Sequence, residues 1–193
     1  GSRALVNSTG LGYNIGIGYE NQYYNNGSKF NVGIGHESLR GGNSSNSNYT
    51  GSNNNVAIGY QSGQFIGSNS ENNVLIGYEC GKASKTNNYT GDNNVYIGYQ
   101  SGFYNTTGTG NLSLGYNSGY NITTGTGNLC LGYNSGNNIT TGNYNVCIGY
   151  GIVPTSDNTT TELKIGSTTD GSDSVNWILG DSNGDVKIEN NLV

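Results

Sequence analysis

The sequence predicts an all-β fold, a parallel β-roll or β-solenoid of about 17-residue coils that ends in a β-hairpin. Three observations carry this. The motif Asn-aliphatic-x-aliphatic-Gly-Tyr starts at Asn14, Asn31, Asn55, Asn73, Asn94, Asn111, Asn128 and Asn145, with His36 replacing Tyr once. Successive Asn positions lie 17, 24, 18, 21, 17, 17 and 17 residues apart, a base period of 17 with insertions of 7, 1 and 4. The composition also fits a thin, repeated core: 32% hydrophobic, 10% charged, 34 Gly, 16 Tyr, one Pro and no Met. Average soluble domains carry about 25% charged residues.

A 17-residue unit is too short for a helical-hairpin repeat, which needs about 33 residues or more. Its two aliphatics stand at i and i+2, the period of a strand with one buried face. They are Val, Leu or Ile, which suit a pleated, half-buried surface. Gly, Asn, Ser and Thr surround them, the residues of tight turns. Each unit therefore reads as a strand, a turn, a second short polar strand and another turn. Stacked coils place equivalent residues about 4.8 Å apart. The aliphatic pairs are expected to form internal ladders, the leading Asn an amide ladder, and the Gly before Tyr a corner with no room for a side chain. Eight coils make a rod of about 40 Å, and the insertions are expected to bulge at one corner.

Residues 1–150 thus read as the repeat domain, 151–161, with the single proline Pro154, as a connector, and 162–193 as a capping strand and hairpin. In that last segment Glu162-Leu-Lys-Ile-Gly166 keeps the 17-residue spacing from Asn145. Terminal repeats that hide strand edges are normally atypical. The hairpin is Trp177-Ile-Leu-Gly180, a turn over Asp181-Ser-Asn-Gly184, and Asp185-Val-Lys-Ile188, with the Asn-Gly pair as its signal. A coil that buries two or three aliphatics, at about 2 kcal/mol each, is marginal against about 1–2 kcal/mol per ordered residue. Self-association through an apolar face is the simplest source of further burial.

The unit Asn111-Leu-Ser-Leu-Gly-Tyr-Asn-Ser-Gly-Tyr-Asn-Ile-Thr-Thr-Gly-Thr-Gly127 resembles the head repeat of trimeric autotransporter adhesins (YadA-like heads) and of phage and giant-virus tail fibres. The resemblance spans roughly residues 10–150. It implies a left-handed roll, a homotrimer, an extracellular or virion location, and attachment to a host surface glycan or protein. The adhesin repeat is commonly shorter, with a Ser-Val-Ala-Ile/Leu-Gly core, so the Tyr-rich 17-residue form is closer to the viral version. The Trp-Ile-x-Gly-Asp hairpin resembles the segment that precedes a self-cleaving trimerisation chaperone in tail fibres, which would put Val193 near a processing point.

Seven tyrosines share one slot, Tyr19, Tyr60, Tyr78, Tyr99, Tyr116, Tyr133 and Tyr150, and are expected to stack as a structural ladder with His36. Tyr23, Tyr24, Tyr49, Tyr89 and Tyr104 fall outside the strand among Asn, Ser and Gly, as do Tyr120 and Tyr144. That mixture suits binding loops, where rings stack and amides hydrogen-bond, and sugars suit such a surface. The first five are the candidate ligand-binding residues, with the insertion intervals Glu37–Asn54 and Glu79–Asn93. Cys130 and Cys147 share a slot in adjacent coils and read as stacked free thiols. With Cys80 they form neither a disulfide framework nor a zinc spacing. Asp181–Asp185 lacks the Glu that completes a calcium loop and reads as a turn. No metal or cofactor is expected. Sequons at Asn7, Asn48, Asn88, Asn105, Asn121 and Asn138 follow from an Asn/Thr-rich composition.

A net charge of -5 with seven Lys+Arg argues against nucleic-acid binding and a polybasic membrane surface. No run approaches the roughly 20 apolar residues of a membrane span. Gly1-Ser-Arg-Ala-Leu-Val6 shows no signal peptide and reads as an expression remnant or an excised fragment. An enzyme is not expected: Glu20, Glu37, Glu71, Glu79 and Asp92 read as scattered, unlike a glycosidase pair. Gly108-Thr-Gly110 and Gly125-Thr-Gly127 precede strands, not helices, and nucleophile-elbow, Walker and zinc motifs are missing. Three readings remain: an attachment fibre, a passive spacer within a fibre, and an ice-binding solenoid suggested by Thr106-Thr107, Thr123-Thr124 and Thr140-Thr141.

Overall fold

The structure is a computed structural model, and it describes residues 3–5, 12–24, 27–41, 51–83, 90–169 and 173–188, the side chains of 169 and 173–177 excepted. The described residues contain no helix and eleven strands: β1 (Ile15–Ile17), β2 (Val32–Ile34), β3 (Val56–Ile58), β4 (Val74–Ile76), β5 (Val95–Ile97), β6 (Leu112–Leu114), β7 (Leu129–Leu131), β8 (Val146–Tyr150), β9 (Leu163–Thr169), β10 (Asp173–Gly180) and β11 (Val186–Ile188). They form one sheet in chain order. Pairing is parallel from β1 to β9, each motif residue opposite its equivalent in the next coil. The parallel β-solenoid is therefore as the 17-residue period predicts.

The strand faces are the reverse of the expected ones. The middle residue of each motif points into the solenoid: Ala57, Leu75, Tyr96, Ser113, Cys130 and Cys147 are at most 1% exposed. The aliphatics at i and i+2 point outward and are half-buried or exposed. Both sets alternate with period 2, so periodicity alone leaves open which one is inside. Lumen width decides it, because the space behind the strand is filled from the far wall. Tyr96 occupies the space where a Cβ on Gly102 would stand, 2.3 Å from its ring. Opposite the smaller Ser113 and Cys130, Ile122 and Ile139 fill the lumen instead. Two apolar clusters result, one from Leu39 to Tyr96 and one from Ile122 to Ile152.

Polar ladders run between these clusters and along them. Each leading Asn accepts from the next one twice: Asn128 N–H and Nδ2 reach Asn111 Oδ1 at 2.9 and 3.0 Å. Its Nδ2 also donates to Gly142 O at 2.9 Å. The same pattern links Asn14, Asn31, Asn55, Asn73, Asn94, Asn111, Asn128 and Asn145. A second brace crosses the lumen, in which Ser62, Ser118 and Ser135 donate to the carbonyls of Leu75, Cys130 and Cys147 at 2.7 Å. Cys80 fills the serine slot and reaches Tyr96 O at 3.0 Å. The ladder amides and the brace hydroxyls are thereby partnered, as burial requires.

The expected second polar strand is a run of turns. Left-handed residues interrupt it at the first position after the ladder ring, including Gln61 (φ 51°), Gln100 (φ 49°), Asn117 (φ 49°) and Asn134 (φ 51°). Axial bonds persist nonetheless, as in Asn117 N–H to Tyr99 O and Gly119 N–H to Ser135 O, both 2.9 Å. At the corner before the ring, Gly115 has φ 136°, and a Cβ there would sit 2.4 Å from Gly132 O. Only glycine fits that corner.

Residues 151–161, read as a connector, form the back half of the last coil. Ile152 is buried and its carbonyl accepts from Gly136 N–H at 2.7 Å. β9 then pairs with β8 in parallel and with β10 antiparallel, turning the solenoid wall into the expected hairpin. The Asn ladder stops at Glu162, whose N–H donates to Asn145 Oδ1 at 3.0 Å. Burial pushes the Glu162 carboxyl up, but the Thr155 N–H and hydroxyl and Lys164 outweigh it and hold it below 4.5.

Asn128→Ala orphans the Asn145 N–H and the Gly142 carbonyl inside the core and is expected to lower stability by roughly 2–4 kcal/mol. Thr124→Ala, at an exposed position of the neighbouring segment, is expected to leave the urea midpoint nearly unchanged. Equal midpoints for the two variants would refute the ladder's role. Gly115→Ala is expected to cost about 3 kcal/mol or more, because backbone rather than a flexible side chain stands in the way.

Candidate functional site

Two surfaces of the solenoid differ in kind. The first is the outer face of the strands. Its two aliphatic rows run in register, Val56-Val74-Val95-Leu112-Leu129-Val146 and Ile58-Ile76-Ile97-Leu114-Leu131-Ile148. At the upper end Ile15 and Ile17 are 54% and 56% exposed. The rows border the aromatic ladder. Tyr19, His36, Tyr60, Tyr78, Tyr99, Tyr116, Tyr133 and Tyr150 stack in order with ring centroids 4.8–5.2 Å apart. The glycine corner sets that spacing, because coils that approach within backbone contact bring the next residue's ring onto its neighbour.

Beyond the ladder lies a polar column at the next position. Glu20 and Glu37, which the sequence reading treats as scattered, hold the same slot in successive coils, as do Gln61, Glu79 and Gln100. Their separation in the chain hides this, since insertions of 7 and 1 residues lie between Glu37 and Glu79. They are structural partners here. Arg40 Nε stands 3.2 Å from Glu20 and 3.6 Å from Glu37. Gln64 donates to Glu37 at 2.8 Å and Gln100 to Glu79 at 2.7 Å. Lys82 pairs with Glu79. Glu71 and Asp92 are also engaged, the Glu71 N–H donating to Asp92 Oδ1 at 2.7 Å.

The second surface is the corner five residues after the ring. The one-residue insertion follows this corner, after Ile66, which keeps the buried slot of Ile122 and Ile139. Gly41 and Ala83 hold the corner position in the coils with the two longer insertions. Tyr24 and Tyr104 hold the same position in the first and fifth coils. Tyr23 and Tyr24 pack edge to face, 4.0 Å between centroids. Tyr104, 41% exposed, stands perpendicular to Phe103 and Tyr120, which stack on each other at 5.3 Å. Lys82 Nζ lies 5.8 Å above the Phe103 ring, a cation–π geometry. Two of the five candidate binding residues, Tyr49 and Tyr89, lie outside the described residues. Tyr23 and Tyr24 stand four coils above Tyr104, so the described candidates form two groups. Phe103 was missed; its signal is that an aromatic replaces the Arg40, Gln64 and Lys82 of earlier coils at that slot.

The remaining candidates have structural surroundings. Cys80, Cys130 and Cys147 are free and buried, with Cys130 and Cys147 opposite each other. Contact with Cys147 and burial push the Cys130 thiol well up, away from the thiolate form. Among the described residues no group of three or more His, Cys, Asp and Glu could hold a metal. Asp181 Oδ1 accepts the N–H groups of Asn183 and Asp185 at 2.8 and 3.2 Å, closing the turn. Of the sequons, Asn105 is buried, and Asn121 and Asn138 donate to the carbonyls of Asn137 and Pro154. Asn7, Asn48 and Asn88 lie outside the described residues.

Tyr116→Ala removes two ring contacts and is expected to cost about 1–3 kcal/mol, with loss of near-ultraviolet circular dichroism, whereas Tyr116→Phe keeps both. Burial and the Tyr104 hydroxyl push Tyr120 up from 10 to about 12. Between those values the folded chain keeps a proton that the unfolded chain releases, so stability falls as pH rises through that window. Urea midpoints from about pH 9 to about pH 12 are expected to show this fall, and Tyr120→Phe to lessen it, the remainder coming from buried Tyr96 and the Cys80 and Cys130 thiols, which are pushed up in the same direction. Comparison with protein-family models, curated proteins and solved structures yields no match to this chain.

Proposed function

We propose that the chain is a structural and attachment segment of a trimeric extracellular or virion fibre, its aliphatic face turned toward two other copies and its irregular corner toward a host surface glycan or protein. The observation that carries this is the unbroken double row of outward Val, Leu and Ile. A solenoid whose lumen holds only two small apolar clusters gains little by keeping such a face in water, and contiguous exposed apolar surfaces of this kind mark association sites. Its pitch selects the partner. Rows repeating at about 4.8 Å over about 40 Å are matched by another copy of the same solenoid.

The number three comes from the resemblance of the repeat to trimeric fibre heads. The corner supports attachment over a passive spacer, because coil length varies after it and the aromatic side chains Tyr24 and Tyr104 stand at it, Tyr104 being 41% exposed. An ice-binding face is less favoured. Thr106 and Thr123 hydroxyls donate to Thr123 O and Thr140 O at 3.0 Å, leaving a single exposed rank at Thr107, Thr124 and Thr141.

Light scattering is expected to give about three times the 20.2 kDa chain mass, and Ile58→Asp with Ile76→Asp to give single chains that keep their β-sheet circular dichroism. A wild-type chain that stays single at high concentration would sink the assembly. For attachment, a glycan array is expected to give signals that Tyr104→Ala with Tyr120→Ala abolishes; signals unchanged by that pair would remove the aromatic corner from the binding site.

A further inference from the structure

The sheet does not end where the coils end. β9 reverses the pattern from parallel to antiparallel, yet the two outer rows continue across the reversal. Leu163 stands opposite Val146 on one side and Gly180 on the other, and Gly180 opposite Val186. Ile165 likewise links Ile148 to Ile178, and Ile178 pairs with Ile188. The alternate positions, Lys164, Leu179 and Lys187, share the inner face with Cys147.

The two sides of this end differ. The inner side of β10 and β11 opens on a groove of about 390 Å³ in which Lys164, Glu162, Asp181, Asp185 and Lys187 stand around Leu179, with Thr155 and Gly180 completing the lining. The outer side is aliphatic, and Val186 and Ile188 are 61% and 72% exposed. Exposed strands at a sheet edge are normally blunted with charges or Pro, and here the strand lysines Lys164 and Lys187 stand on the side away from the aliphatic rows.

We infer that the β10–β11 hairpin is part of the homotypic interface, with Val186 and Ile188 packing against the neighbouring copies. The inference rests on the proposed assembly and extends it to a segment that lies outside the repeats. The occupant is a second copy of this chain, because the hairpin continues the pitch, the row spacing and the apolar character of the face that a second copy matches. Each hairpin adds one Ile-Ile pair and one Val to each chain's share. Copies displaced by one coil would leave Val186 and Ile188 without that contact.

The test uses the full chain with Val186→Thr and Ile188→Thr, which keep branched, strand-forming side chains while removing apolar surface. Lys187→Thr, on the opposite face of the same strand, is the control. Sedimentation over a dilution series is expected to show the double variant dissociating at a concentration roughly tenfold or more higher than the wild type, and the control at the wild-type concentration. Amide exchange at Gly180 and Ile178 reports hairpin integrity in each. Equal dissociation of double variant and wild type would overturn the inference while leaving the assembly standing, as would an equal effect of the control. A wild-type chain that sediments singly would overturn both.

Discussion

The amide ladder is the constraint from which the rest follows. An Asn in each coil uses its oxygen twice and its nitrogen twice, and every partner is the equivalent residue or a carbonyl of a neighbouring coil. This works only if successive Asn residues lie directly above one another at the strand spacing. That requirement fixes the register of the strand that follows, and with it the glycine corner and the stacked rings. An error of one residue would break several buried hydrogen bonds at once. A polar core, costly when poorly matched, here sets one register where a uniformly aliphatic lumen would permit slippage.

With register held by amides, the lumen needs only correct volume. The inward strand position is Gly33, Ala57, Leu75, Tyr96, Ser113 and Cys130 in successive coils, residues with little chemistry in common. The opposite wall compensates each time. Asn21 occupies the space left by Gly33, and Gly102 makes room for Tyr96. The Tyr96 hydroxyl donates to Asn94 Oδ1 and accepts from Asn105 Nδ2. The aliphatics needed for an ordinary core are thus released to the outer face, where they serve association.

Much of this was legible in the sequence, for a physical reason. Asn55, Asn73 and Asn94 mark strand starts because only an amide satisfies both directions of the ladder, and Gly77, Gly98 and Gly115 mark corners because nothing larger fits. The parallel pairing, the ring stack and the Asp181–Asp185 turn all follow from such positions. The strand face did not follow. Val74-Leu75-Ile76 and Val95-Tyr96-Ile97 contain no polar residue, and the Gly of Ile15-Gly16-Ile17 is equally mute about direction. Ser113 and Lys164, polar on the inner side, misled in the other sense, because a lumen serine is expected only once the cross-lumen braces are known. The turn-rich back wall was hidden too, since Tyr-Asn-Ser-Gly permits extended and left-handed backbone alike. Glu20, Glu37 and Glu79 were separable from scattered carboxylates only by counting from the ring.

The axial direction of these bonds has a mechanical consequence. The strands lie across the long axis, so tension along it pulls each coil straight off the next and loads one layer of hydrogen bonds at a time. Such a rod yields by peeling, not by shearing a whole sheet. Each released 17-residue coil would lengthen the chain by roughly 50 Å, at about 3.3–3.6 Å per extended residue less one strand spacing. A stretched single chain would therefore lengthen in steps, smaller between equal coils and larger where an insertion adds slack, and a single abrupt rupture in a force–extension trace would contradict this.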